Sequence, residues 1–127
     1  MGTLMSDEII QYLVFRADLR LPKGKVAAQA GHGVQLSIRR VEAAGDEQSR
    51  EWLREWEAGS YVKVALKVDD VQALEELCRC LEADGVLYAT VIDEGRTCIE
   101  AGTMTLIALQ PLPRARASPV VARLSLF

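Results

Sequence analysis

Lys25, Gln29 and His32 recur at three- and four-residue spacing, which places them on one face of a helix, and Arg39 continues that face. Lys23 and Lys25 stand where the helix begins, with its unpaired N–H groups directed outward, a combination suited to an anion. His32 is the only histidine of the chain and so the only side chain whose ordinary pKa lies near neutrality, a candidate acid or base. A second group is Asp93-Glu94-Gly95-Arg96-Thr97, with Thr105 early on the strand that follows. Asp93 closes a strand, where α/β folds tend to place working residues, and a carboxylate with two hydroxyls can orient a water or a substrate hydroxyl. The same residues also fit an ordinary solvated helix face and an Asx-type turn at a strand end. Gly31-His32-Gly33 is followed by neither a third glycine nor a P-loop, so nucleotide binding by that route is unsupported.

The elements that must position these residues can be read from the apolar spacing. Ile9 to Phe15 is a short, nearly continuous apolar run, as expected of a central strand covered on both faces. After a loop from Arg16 to Lys25, the residues Val26, Ala30, Val34, Ile38 and Val41 predict a helix from Lys25 to about Ala44, broken at Gly45. Asp46 caps a second helix carrying Trp52, Leu53 and Trp56, which ends near Gly59. Tyr61 to Val68 alternates as a strand, and Asp69 or Asp70 caps a helix from Val71 to about Ala83. Leu87 to Ile92 and Met104 to Leu109 predict two more strands joined by the polar loop Asp93 to Thr103. Pro111, Pro113 and Pro119 make the tail extended, with Val120 to Phe127 as an edge strand. This order implies an α/β sandwich around a small mixed sheet, in a single domain over residues 1–127 with 1–8 as a flexible N-terminus.

The chain has 127 residues, 50% hydrophobic and 26% charged, with a formal net charge of −3. That apolar fraction excludes disorder, and the net sign excludes a uniformly basic nucleic-acid clamp. The charge is nevertheless uneven. Arg16, Arg20, Lys23, Lys25, Arg39 and Arg40 face the single acid Asp18 in their stretch, and the tail adds Arg114, Arg116 and Arg123 with no acid after Glu100. From Glu42 to Glu57, six acids oppose Arg50 and Arg54. A basic end on an acidic protein can steer a polyanion to one face; ordinary solvated charge gives the same composition. No apolar run approaches the ~20 residues of a membrane span. The opening Met-Gly-Thr-Leu-Met-Ser-Asp-Glu lacks the basic flank of a secretory signal, so the expected location is cytoplasmic. Three cysteines, an odd number, argue against a disulfide framework, and one histidine argues against a zinc site. Cys78 joins Val71, Leu74, Leu77 and Leu81 in an apolar stripe, which makes it a buried, inert thiol.

Lys23-Gly24-Lys25-Val26-Ala27-Ala28-Gln29-Ala30-Gly31-His32 resembles the GKxAAQxxH segment of the archaeal/eukaryotic-type (type-2) peptidyl-tRNA hydrolases. Trp56-Glu57, Gly59 and Lys63-Val64-Ala65-Leu66-Lys67 are similar to that family's second block. Asp93, Gly95, Arg96, Thr97, Gly102, Thr105 and Pro111 match its DAGRT…G..T…P block, and Val120 to Phe127 its closing strand. The blocks run in order from Leu13 onward. The resemblance implies a three-layer α/β sandwich with a four-stranded mixed sheet flanked by helices, no organic cofactor, and a homodimer. It implies a hydrolase that cleaves the ester between a peptide and the terminal ribose of tRNA. Lys25, Asp93, Thr97 and Thr105 are then the expected catalytic residues, together with His32, and the expected substrate contacts are Arg20, Lys23, Gln29 and Arg96, joined by the tail arginines.

The chain departs from the family pattern at several places. Glu94 stands where a small alanine is usual and either adds a second negative charge to the site or points to solvent. Gly33 stands where alanine is usual after the histidine, Ala101 where proline is, Cys98 where glutamine is, and Arg20 where the residue is often apolar. The alternative reading is a non-catalytic member of the same fold that serves as an RNA- or protein-binding module. A small-molecule esterase is a third reading, for which the chain carries no Ser or Cys nucleophile elbow.

Overall fold

The computed structural model describes residues 8–44, 46–94 and 102–127. Strand β1 (Ile9–Arg16) is its centre, with only its two end residues short of full burial. Its even-numbered side chains, Ile10, Tyr12 and Val14, pack on one face of the sheet, while Leu13 and Phe15 pack on the other. Burial on both faces is why the run reads as continuous rather than alternating apolar sequence. Helix α1 (Lys23–Ala44) and helix α2 (Glu47–Ala58) follow, and the chain returns as β2 (Lys63–Val68), parallel to β1 with Gln11 opposite Lys63. Asp46 caps α2 by accepting from the Gln48 and Ser49 amides. Asp70 caps α3 (Val71–Ala83) through the Ala73 amide, so the cap is the second of the two candidate aspartates. Strands β3 (Tyr88–Ile92) and β4 (Met104–Leu109) form an antiparallel pair, and β4 also lies antiparallel to β1.

Four full strands were expected, and the sheet has six. Strand β5 (Leu112–Pro113) pairs with Ile9 and Ile10 and has no counterpart in the sequence reading, whereas of the edge strand expected over Val120 to Phe127 only β6 (Ser125–Leu126) forms, paired with Leu66 and Lys67. Each is two residues long, too short to leave a period-two pattern in sequence, and each exists because a longer neighbour offers an unpaired edge. The tail between them is not simply extended. Ser118 accepts from the Val120 amide and Pro119 opens a short helix, α4 (Pro119–Ala122), because proline suits the first helical position.

The layers follow from the apolar faces. Leu74, Leu77, Cys78 and Leu81 of α3 and Val121 of α4 cover one face of the sheet together with Leu66, Val68, Ile107 and Leu109. Burial pushes the Cys78 thiol upward in pKa, in keeping with the inert cysteine read from its stripe. On the other face, Val26, Ala30 and Val34 of α1 pack on Leu13, Phe15, Val91, Leu106 and Ala108. Val41 joins Leu53 and Trp56 of α2, with Ile38 beside them. Phe127 closes the chain by stacking on Phe15, ring centroids 4.4 Å apart and 8° from parallel. Among the described residues no helix is long and apolar enough to cross a membrane.

The innermost ridge of α1 is not its apolar stripe. Gln29, Gly33, Ser37 and Val41, spaced by four, are its buried residues. A β-carbon on Gly33 would stand 3.2 Å from Leu106 Cδ1, 3.3 Å from Ala108 Cβ and 3.4 Å from Val91 Cγ2. The close approach of helix to sheet is therefore made here, and not at Gly31, which has open space around it. That approach brings the first turns of α1 within reach of the ends of β3 and β4.

Candidate active site

Asp93 follows β3 directly and is 2% exposed. Its backbone is pinned on both sides, the N–H donating to the Thr103 carbonyl at 2.8 Å and the carbonyl accepting from Gly102 N–H at 2.8 Å. Gly102 has a φ of +86°, a conformation that glycine adopts without the penalty of a side chain. The Asp93 carboxylate accepts from the Lys25 ammonium, contributed by the first turn of α1, and the Lys25 side chain is 12% exposed. An ion pair taken this far out of water is a poor source of stability, since desolvation opposes the attraction. Its position in a cleft makes chemistry the better account of it.

Beside the pair, the register of β3 and β4 slips: Val91 faces Leu106 and Ile92 faces Met104, which leaves Thr105 as the extra residue. Such bulges re-aim a side chain, and here the fully buried Thr105 hydroxyl lies 2.6 Å from Gln29 Oε1 and 3.3 Å from the Val91 carbonyl. Thr105 and Gln29 thus tie α1 to the sheet one turn beyond Lys25. Gln29, read from sequence as part of an outward polar face, is only 5% exposed, because Thr105 offers it a partner.

Lys25, Gln29, His32 and Arg39 line a cleft of about 880 Å³ with Asp93 and Glu94 on its other wall. The helical stripe read from sequence is therefore the wall of one site. His32 and Glu94 are both exposed there, and Glu94 lines the cleft beside Asp93. Arg20 and Lys23 are exposed at the entry to α1 but do not line the cleft. Arg96 and Thr97, with Gly95, Cys98 and Ala101, lie outside the described residues. The tail arginines do not gather at the site: Arg114 pairs with Glu8 at 3.5 Å, and the Arg116 guanidinium sits 5.9 Å over the Trp52 ring. Among the described residues no group of three or more His, Cys, Asp or Glu is placed to hold a metal.

The sequence reading missed two residues of this cleft, Leu36 and Ile92, large apolar side chains that are 42% and 48% exposed. Leu36 carried a signal, since it interrupts the polar stripe four residues after His32. Ile92 follows the alternation at the end of β3, where Thr90 and Ile92 are exposed and Val91 and Asp93 are buried.

Comparison with known proteins agrees with this geometry. Residues 9–127 match the family described as Peptidyl-tRNA hydrolase PTH2. The chain is 37% identical over 117 residues to the peptidyl-tRNA hydrolase of Haloquadratum walsbyi, covering 92% of this chain and 98% of that protein. It is 35% identical over 115 residues to the peptidyl-tRNA hydrolase of Pyrobaculum aerophilum, covering 91% and 94%. It is also 33% identical over 122 residues to the mitochondrial peptidyl-tRNA hydrolase 2 of Bos taurus, covering 96% of this chain and 66% of that protein. With the Lys25–Asp93 pair lining the cleft and the match running over nearly its whole length, the chain belongs to the peptidyl-tRNA hydrolase PTH2 family.

Proposed function

We propose that this protein hydrolyses the ester joining a peptide, or an N-blocked amino acid, to the terminal ribose of tRNA, and that the Lys25–Asp93 pair is the reacting centre. The observation that carries the proposal is that pair, buried at the wall of a cleft large enough for the two sides of an ester. Asp93 accepts a proton from the water that attacks the ester carbonyl. Lys25 faces the negative charge that develops on the carbonyl oxygen, in a site where burial strengthens the interaction. Collapse of the tetrahedral intermediate breaks the bond to the ribose oxygen, which takes the proton held by Asp93. The products are a peptide with a free carboxyl group and a tRNA with a free terminal hydroxyl.

Thr105 and Gln29 keep Lys25 at its post by fixing the start of α1 against β4. His32 faces the substrate from the exposed cleft wall as a candidate acid or base. Arg20, Lys23 and Arg96 hold tRNA phosphates, a contact that is sequence-blind and salt-sensitive. Thr97 stands with Asp93 in the same reading. A homodimer and a cytoplasmic setting belong to it as well, the first supported by the family resemblance and the second by the odd cysteine count; light scattering in solution tests the dimer. Nothing in the comparisons favours the non-catalytic binding module.

The test is to incubate the purified protein with N-acetyl-aminoacyl-tRNA and, separately, with the unblocked form. Release of the amino acid from the blocked ester alone is expected. Asp93→Asn and Lys25→Ala should each lower kcat by about 10²- to 10⁴-fold. Full turnover in both variants overturns the residue assignment.

A further inference from the structure

We infer that Arg16, held by Asp18, is a positioning residue for the hydrolytic site: it fixes the start of β4, on which both halves of that site depend. This rests on the proposed activity. The ladder between β1 and β4 runs through Leu13–Ala108, Val14–Ile107 and Phe15–Leu106 and stops there, next to the bulge at Thr105. The link beyond it is made by a side chain. Arg16, the last residue of β1, donates from Nη1 to the Met104 carbonyl at 3.1 Å, with its side chain 13% exposed. Its Nε and Nη2 donate to the two carboxylate oxygens of Asp18 at 3.1 and 2.9 Å. A planar fork gripped at two points has one orientation, so a guanidinium can aim a third N–H at Met104 where an ammonium could not.

Successive residues at the start of β4 show what that bond controls. The Thr103 carbonyl accepts from the Asp93 N–H at 2.8 Å, the Met104 carbonyl accepts from Arg16, and the Thr105 hydroxyl lies 2.6 Å from Gln29 Oε1, one turn past Lys25 on α1. Asp93 and the helix that carries Lys25 are thus both anchored to a segment whose pairing with β1 lapses at the bulge. Asp18 lies in the turn Ala17–Leu19 between β1 and α1, so the same fork also fastens the approach to the helix. A phosphate contact is the other role open to a cation in this basic stretch. Three N–H donors of Arg16 are already engaged within the protein, and the charges of Asp18, Asp70 and Glu75 act on the same guanidinium, so a phosphate meets repulsion there.

The experiment measures kcat and KM on N-acetyl-aminoacyl-tRNA for the wild type, Arg16→Met and Asp18→Ala, with amide hydrogen exchange on the same proteins. Arg16→Met keeps an aliphatic stem and removes every donor, while Asp18→Ala, at an exposed position, frees the guanidinium and keeps the fold. The expected result is a kcat lower by about 10- to 100-fold in Arg16→Met and by about threefold or more in Asp18→Ala, with KM within about twofold of the wild type. Exchange at the Asp93 amide quickens in both variants, whereas the α3 amides keep their rates. A folded Arg16→Met with wild-type kcat overturns the inference, and so does a raised KM with unchanged kcat, the mark of a phosphate contact. Exchange that quickens in α3 as much as at Asp93 marks a loss of global stability alone and overturns it as well. If Arg16→Met does not fold, Asp18→Ala decides, and an unchanged kcat there overturns the inference. A wild type that leaves the ester intact overturns the activity instead, and exchange at Asp93 then tests the clamp by itself.

Discussion

Lys25 and Asp93 stand 68 positions apart in sequence and meet as an ion pair, so their effects on turnover should not be independent. If they act as one unit, the double variant Lys25→Ala/Asp93→Asn will be about as slow as the slower single variant, and single-turnover rates on N-acetyl-aminoacyl-tRNA read this directly. A different pair tests acid stability. Asp18 is held below the usual carboxylate range, first by its hydrogen bond from Arg16. A depressed folded-state pKa contributes stability above the unfolded value of about 3.9, and that contribution is lost as pH falls through the folded value. Asp18→Asn should therefore cost at most about 1 kcal/mol at neutral pH, since Asp18 is substantially exposed and screened, and the difference should close as the pH falls below the folded-state value. Denaturant melts at the two pH values check it.

At the scale of elements, the site depends on how closely α1 settles on β3 and β4. Gly31 and Gly33 are two residues apart on one helix yet should respond oppositely. At Gly31 an added methyl meets nothing within 4 Å, so Gly31→Ala should stabilise by about 0.5–1 kcal/mol through helix propensity. Gly33 already stands within 3.2–3.4 Å of three side-chain carbons at its missing Cβ, so Gly33→Leu should cost about 1–3 kcal/mol by overpacking. It should also lower activity, because lifting α1 separates Gln29 from Thr105 and Lys25 from Asp93. Thermal unfolding beside kcat measurements distinguishes the two effects. The bulge at Thr105 belongs to this scale as well: without the extra residue, the hydroxyl would take the opposite direction from the pleat.

For the whole molecule, a net charge of −3 coexists with cations around one end of α1. Arg114 and Arg116 of the tail are engaged elsewhere, by Glu8 and Trp52, so fewer cations are left for a polyanion than composition suggests. Binding of tRNA should weaken linearly in log affinity against log salt, and Lys23→Ala should flatten that slope by about one. Filter binding from low to moderate salt measures it, and an unchanged slope would remove Lys23 from the tRNA contact.

The sequence by itself determined the long elements, because strands such as Lys63–Val68 and helices such as Val71–Ala83 carry a period that burial requires. It also determined which residue types could react, and the spacing of Lys25, Gln29, His32 and Arg39 already placed them on one wall. The order of the three sequence blocks made the family legible. Only the tertiary structure decided what meets what. The pairing of Lys25 with Asp93 and the burial of Gln29 each depend on a partner distant in the chain. Strand β5 is of the same kind: two residues have no pattern of their own, and the edge of β1 makes them a strand. Local spacing fixes which face a side chain takes, whereas its neighbour across a helix–sheet contact is set by packing that no local pattern encodes.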